Sequence, residues 1–165
     1  MQKDGFGMSD KMNIGTNKGI NEGFQLKANM KLELFDSEGN RKDVREIHNS
    51  TTTASKNGVA SQLLDTPDLP SPGWMELGTG TPASTLLGAA ITGSRIAVTS
   101  KTRNNNIITL VGDWSAGVGT GAITEAGIFD VATYNTVNMW CNSSFAVVNK
   151  GAGDSFRITW TLTFN

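Results

Sequence analysis

The last ten residues of the chain alternate strictly between large apolar and polar side chains. Apolar residues occupy every second position from Phe156 to Phe164, and Arg157 and three threonines fill the positions between them. Because successive side chains of a β-strand point to opposite faces, this period of two predicts a strand with one apolar face. The pattern recurs in residues 24–34, with apolar side chains at Phe24, Leu26, Ala28, Met30, Leu32 and Leu34. The chain is therefore predicted to be rich in β-structure.

Turn and breaker residues divide the rest of the chain into further short elements. Residues 37–40 predict a turn, after which 44–48 return as the second strand of a hairpin. The threonines at 51–53 predict the cap of a helix over 54–64, with Val59, Leu63 and Leu64 as its apolar stripe. Further strands are predicted at 74–77, 95–103, 106–114, 122–129, 139–148 and 156–164. This spacing favours an all-β fold, an antiparallel β-sandwich or jelly-roll-like domain with one short helix.

We predict an N-terminal extended arm, residues 1–23, before a β-sandwich domain over residues 24–165. The arm holds five glycines and no sustained hydrophobic period. We interpret it as a segment that orders against another subunit, and an ordinary disordered tail is the alternative. The predicted contact residues are Phe6, Met8, Met12, Ile14 and Ile20.

Composition excludes several classes of function. The chain has 165 residues and a net charge of −1, which gives it no overall electrostatic reason to bind nucleic acid or an anionic membrane. Cys141 is the single cysteine, so an internal disulfide and a thiolate zinc cluster are excluded. Residues 1–50 hold 8 of the 14 basic and 8 of the 15 acidic side chains. The charge-poor remainder predicts a surface that associates with neighbouring subunits.

No residue pattern supports catalysis or cofactor binding. His48 is the only histidine, and we interpret it as a structural or surface residue. Nothing in their spacing brings Glu125, Asp130 or Asp154 together as a carboxylate pair. The Gly78–Ala83 loop lacks the following helix and acidic residue of a dinucleotide site. We therefore predict no catalytic residues, no cofactor and no metal site.

One predicted strand carries a local basic stripe. Arg95, Lys101 and Arg103 share parity on the strand predicted over 95–103. A solvated strand face explains this pattern, and contact with an acidic patch of a neighbouring subunit is the alternative. The four tryptophans are predicted to serve the core or an interface. A sugar-binding platform is the alternative, and it would require one or two of them to be exposed.

Five segments then occur in a recognisable order. These are His48-Asn49, the helix, Glu76–Thr81 (ELGTGT), Ile123–Phe129 (ITEAGIF) and the closing alternating strand. In this order, residues 44–165 resemble a recurrent domain in virion proteins of tailed bacteriophages, with Ile128 where leucine is common. The resemblance implies a non-enzymatic structural role in the virion, after synthesis in the bacterial host cytoplasm.

We expect a capsid decoration subunit that reinforces the shell through its arm and strand edges. Its expected partners are other virion proteins, the major capsid protein or tail proteins, and further copies of itself, with a trimer as the candidate form. A tail-fibre or baseplate module contacting the host is the first alternative. A carbohydrate-binding β-module is the second.

Overall fold

The structure is a computed structural model that describes residues 25–134 and 138–165. Within them the chain forms nine strands and one helix, consistent with the predicted all-β sandwich. The elements are β1 (Leu26–Phe35), β2 (Arg41–Thr51), α1 (Thr53–Ser61), β3 (Trp74–Gly78), β4 (Ile96–Ala97), β5 (Ser100–Asn104), β6 (Ile107–Trp114), β7 (Gly121–Phe129), β8 (Met139–Lys150) and β9 (Ser155–Phe164). The predicted arm, with Phe6, Met8, Met12, Ile14 and Ile20, lies outside the described residues.

The strands form two antiparallel layers that are joined through one strand. The first sheet has the order β2-β1-β9-β6-β5 and the second the order β4-β3-β7-β8. The end of β2 leaves the first sheet, because Ser50 and Thr51 pair with Asn142 and Cys141 of β8. This short pairing makes β2 the link between the two layers.

The alternating segments supply the core between the layers. Met30 and Leu32 of β1 and Ile158 and Trp160 of β9 are buried, as the period of two predicts. Strand β9 lies between β1 and β6, and it pairs with β1 from Leu26↔Phe164 to Phe35↔Ser155. Burial of these strands removes large apolar side chains, Trp160 and Phe156 among them, from water, and such burial is the dominant stabilising contribution to folding.

The predicted hairpin is present and its turn is held by one carboxylate. Asp36 Oδ1 accepts hydrogen bonds from the backbone N–H groups of Glu38 (2.9 Å) and Asn40 (2.8 Å). Gly39 adopts a φ of 84°, a conformation that glycine reaches without steric cost. Strand β2 then runs well past the predicted residues 44–48 in both directions.

The prediction of a single strand over 95–103 is wrong, because the chain passes from one sheet to the other within this range. Strand β4 pairs with β3 in the second sheet, whereas β5 pairs with β6 in the first. Between them, Val98 donates its N–H to Gly73 and Thr99 donates its N–H to Val111. Arg95, Lys101 and Arg103 therefore do not form one basic face.

The predicted helix is correct in place, and Val59 of its predicted apolar stripe packs against the core, but Leu63 and Leu64 do not belong to the helix. Thr52 caps α1 by accepting from the N–H of Ser55, and the helix ends at Ser61. Leu63 and Leu64 follow it in a turn and are 83% and 53% exposed. The buried face consists instead of Ser55, Gly58 and Ser61, all of them small.

Candidate functional site

Two of the motif segments meet around Glu125: the loop between β3 and β4 contains the last three residues of ELGTGT, and β7 contains ITEAGIF. Glu125 of β7 is fully buried, and its carboxylate accepts from the N–H groups of Gly80 (2.9 Å), Gly88 (2.9 Å) and Ala89 (2.8 Å). Hydrogen bonds to an ionised acceptor are stronger than neutral ones. One carboxylate thus fixes both ends of the loop, and we call this arrangement the Glu125 clamp.

The Glu125 clamp explains why the two motif segments have their residue types. Gly78 pairs with Glu125 across β3 and β7, and a Cβ at Gly78 would collide with the Glu125 carboxylate. Thr124 Oγ1 donates to the carbonyl of Gly80 at 2.8 Å. Glu125 therefore acts as a hydrogen-bond acceptor in the middle of β7, and all three of its donors are backbone groups.

Arg95, a predicted interface residue, is buried in an ion pair. Its guanidinium lies 2.9 Å from the Glu76 carboxylate, and the two side chains are 3% and 1% exposed. The same group stacks over Phe129, 3.7 Å from the ring centroid, and donates to the carbonyls of Val131 and Thr133. Arg95 therefore ties β3 to the segment after β7 and presents no charge at the surface.

The other two predicted basic residues lie on the exposed edge strand β5. Lys101 Nζ donates to Ser71 Oγ and to the Pro72 carbonyl, both at 2.9 Å. Burial lowers the pKa of the Lys101 ammonium below its usual value. Arg103 is exposed and lines a groove at the end of the first sheet.

This groove is a large concavity formed by the described residues. It has a volume of about 960 Å³ and lies between α1 and the ends of β1, β5, β6 and β9. Its apolar lining is supplied by Leu26, Val59, Leu63, Ile108 and Phe164. We call it the end groove, and its size falls within the range of ligand-binding clefts.

Three cations surround the end groove. Lys27, Lys56 and Arg103 line it and are exposed. Among the described residues, neither Lys27 nor Lys56 belongs to an ion pair. The end groove therefore combines an apolar floor with a positive rim, which suits an occupant that carries apolar side chains and carboxylates.

The end groove lies where α1 meets the end of the sandwich. Leu26, Val59, Ile108 and Phe164 pack against the core while also facing the groove. Leu63, which the sequence predicts to be buried, projects beside them instead. The groove is thus lined in part by side chains that also belong to the core, and sequence periodicity did not reveal it.

The outer face of the first sheet carries a row of uncharged polar residues. One residue from each of five paired strands contributes, in the order Thr102, Thr109, Thr161, Asn29 and His48. His48 is exposed, and its Nδ1 lies 2.6 Å from Asn29 Oδ1. This row offers hydroxyl and amide groups for hydrogen bonding, and charged side chains lie beside it on the same face, including the pairs Lys31–Glu33 and Arg157–Asp113.

None of the four tryptophans is exposed. Trp114, Trp140 and Trp160 are buried, and Trp74 is partly buried against Phe129, Leu87 and Met139. The predicted core role of the tryptophans is confirmed for these four side chains. An aromatic platform for sugar binding is therefore not formed by tryptophan.

The described residues were also compared with the requirements of a metal site and of a membrane-spanning helix. In residues 25–134 and 138–165, no three His, Cys, Asp or Glu side chains are grouped so that they could hold a metal ion. The described part contains no helix with the length and apolarity needed to span a membrane. No family model matches the chain, and neither a curated protein nor a solved structure matches it.

Proposed function

We propose that the chain is a non-enzymatic structural subunit of a tailed-bacteriophage virion and that it decorates the capsid surface. The proposal starts from the order of the five sequence segments that resemble the phage domain. The Glu125 clamp is the observation that carries it. One of its three hydrogen bonds joins Glu125 of ITEAGIF to Gly80 of ELGTGT, and the other two hold Gly88 and Ala89 farther along the same loop.

Two surfaces of the sandwich support a role in assembly. The uncharged polar row on the first sheet matches a face that packs against a neighbour. The end groove adds an open apolar area, and exposed apolar area of this kind marks interaction sites. Both features belong to binding between macromolecules and require no reacting group.

Edge strand β5 contributes less to the proposed contacts. All five of its residues are exposed, but Lys101 and Arg103 lie on it. Charged side chains on an edge strand oppose pairing with another sheet. We therefore assign the contacts to the sheet face and the end groove in preference to this edge.

The test is a copy count on purified particles. Quantitative mass spectrometry measures the ratio of this chain to the major capsid protein, and an antibody label locates it in electron micrographs. A decoration subunit is expected in a fixed ratio to the shell lattice, with label over the whole head. A few copies per particle, with label at the tail, would instead favour the tail-fibre or baseplate alternative.

A glycan array separates both particle roles from the carbohydrate-binding alternative. Because no tryptophan is exposed, we expect no glycan to be retained above background. Specific retention of one glycan class, together with absence of the chain from purified particles, would overturn the proposed function.

A further inference from the structure

The end groove has the properties of a binding site for an extended peptide. Its floor is apolar, and its rim carries Lys27, Lys56 and Arg103. An occupant of matching chemistry has apolar side chains in the middle and carboxylates at either side.

One segment of this chain has that pattern. Residues 4–10 read DGFGMSD, and they lie outside the described residues. In an extended conformation Asp4, Phe6, Met8 and Asp10 share one face, because side chains alternate along a strand. Glycine and serine occupy the positions between them. The segment therefore carries two apolar side chains between two acids on a single face.

We propose that residues 4–10 of a neighbouring copy of this chain bind in the end groove. Phe6 and Met8 contact the apolar floor, and Asp4 and Asp10 approach the three cations of the rim. The carboxylates lie opposite the positive rim, and their attraction orients the peptide in the groove. The inference rests on the self-association included in the proposed function and names the partner of the arm as a second subunit.

The length of the arm allows this exchange. Fourteen residues separate Asp10 from Gln25, where the described chain begins. Fully extended, they span at most about 50 Å, which exceeds the diameter of a small domain, roughly 30 Å. A contact between an arm and a groove joins two different surfaces, so that repeated copies close into a ring when the rotation permits.

The test is cross-linking between two single-cysteine forms of the full chain. One form carries Met8→Cys, the other Leu63→Cys, and they are purified apart, mixed and treated with a short bismaleimide. Leu63 is 83% exposed, so its substitution leaves the core intact. Burial raises the pKa of the Cys141 thiol to about 12, which keeps the native cysteine unreactive.

The proposal predicts a covalent heterodimer formed in several-fold higher yield than with a matched control. The control replaces Leu63→Cys by Val147→Cys, which is 46% exposed on β8 and does not line the end groove. Equal yields with the two acceptor forms would overturn the proposal. A form that carries both Met8→Cys and Leu63→Cys and cross-links only within a single chain would also overturn the proposal.

A charge reversal tests the role of the rim. Lys56→Glu in the acceptor is expected to lower the yield severalfold, and Asp10→Lys in the donor is expected to restore it. An unchanged yield in both mixtures would contradict the assigned charge contacts. These measurements use purified protein without particles, so their failure is distinguishable from failure of the copy count.

Discussion

At the scale of single residues, Glu125 makes the contacts that hold the motif loop. Glu125→Gln replaces one carboxylate oxygen by an NH₂ group, which cannot accept the backbone N–H bonds made there. We expect a loss of about 2–3 kcal/mol in the free energy of unfolding, since a hydrogen bond to a charged group contributes about 1.5–3 kcal/mol. Urea unfolding measures it. Glu46→Gln, at an exposed position of β2, is the control and should leave the midpoint unchanged.

The buried pair of Arg95 and Glu76 gives a second residue-scale prediction. Arg95→Met leaves the Glu76 carboxylate buried without its cation, and such a change costs about 3–5 kcal/mol. Arg103→Met, at an exposed site, should cost far less. Combining Arg95→Met with Glu76→Leu removes both charges and should recover part of the lost free energy of unfolding, as measured by urea unfolding. A double variant less stable than Arg95→Met alone would contradict this interpretation.

The carboxyl group of Asp130 makes the stability of the folded state depend on pH, and the direction of this dependence follows from its pKa shift. Burial raises the pKa of its carboxyl above the ordinary value of 3.8, so the folded state favours the protonated form. The resulting stability is present below pH 3.8 and is lost as the pH rises through the folded-state pKa. Asp130→Asn should therefore be more stable than wild type at pH 7, with the advantage vanishing in acid. Urea midpoints across this range measure it, and Asp65→Asn, at an exposed site, should show no such trend.

At the scale of elements, the helix packs through its smallest residues. A Cβ at Gly58 would overlap the indole of Trp140 on β8. Alanine favours a helix over glycine by about 1 kcal/mol, but overpacking a core costs about 1–3 kcal/mol. Gly58→Ala is therefore expected to lower the thermal midpoint, whereas Asn57→Ala on the exposed side should keep or raise it. A stabilised Gly58→Ala protein would show that the contact is not tight.

At the scale of the whole molecule, the two sheets share one core and one linking strand. The buried cluster takes Met30 and Trp160 from the first sheet and Leu77 and Ile128 from the second. We expect both sheets to unfold together, so that far-ultraviolet circular dichroism and tryptophan fluorescence give the same urea midpoint. Two separate midpoints would indicate that the sheets are independent units.

Strands were predictable where apolar and polar side chains alternate strictly along the sequence. In β1 and β9 the alternation runs for about ten residues, and the structure buries the side that the alternation selects. The helix was predictable from its threonine cap, but its buried face was not, because small residues give no hydrophobic period. Arg95 was assigned to a surface because parity alone cannot show that the chain changes sheets at 98–99.

The sequence by itself determined the strand-forming segments, the hairpin turn and the cap of the helix. These depend on steric and hydrogen-bonding preferences that act over a few neighbouring residues. Only the tertiary structure decided that Glu125 binds a loop some forty residues away, that Arg95 pairs with Glu76, and that core side chains line a groove at one end of the sandwich. Such contacts depend on which segments the folded backbone brings together, and local periodicity carries no information about that.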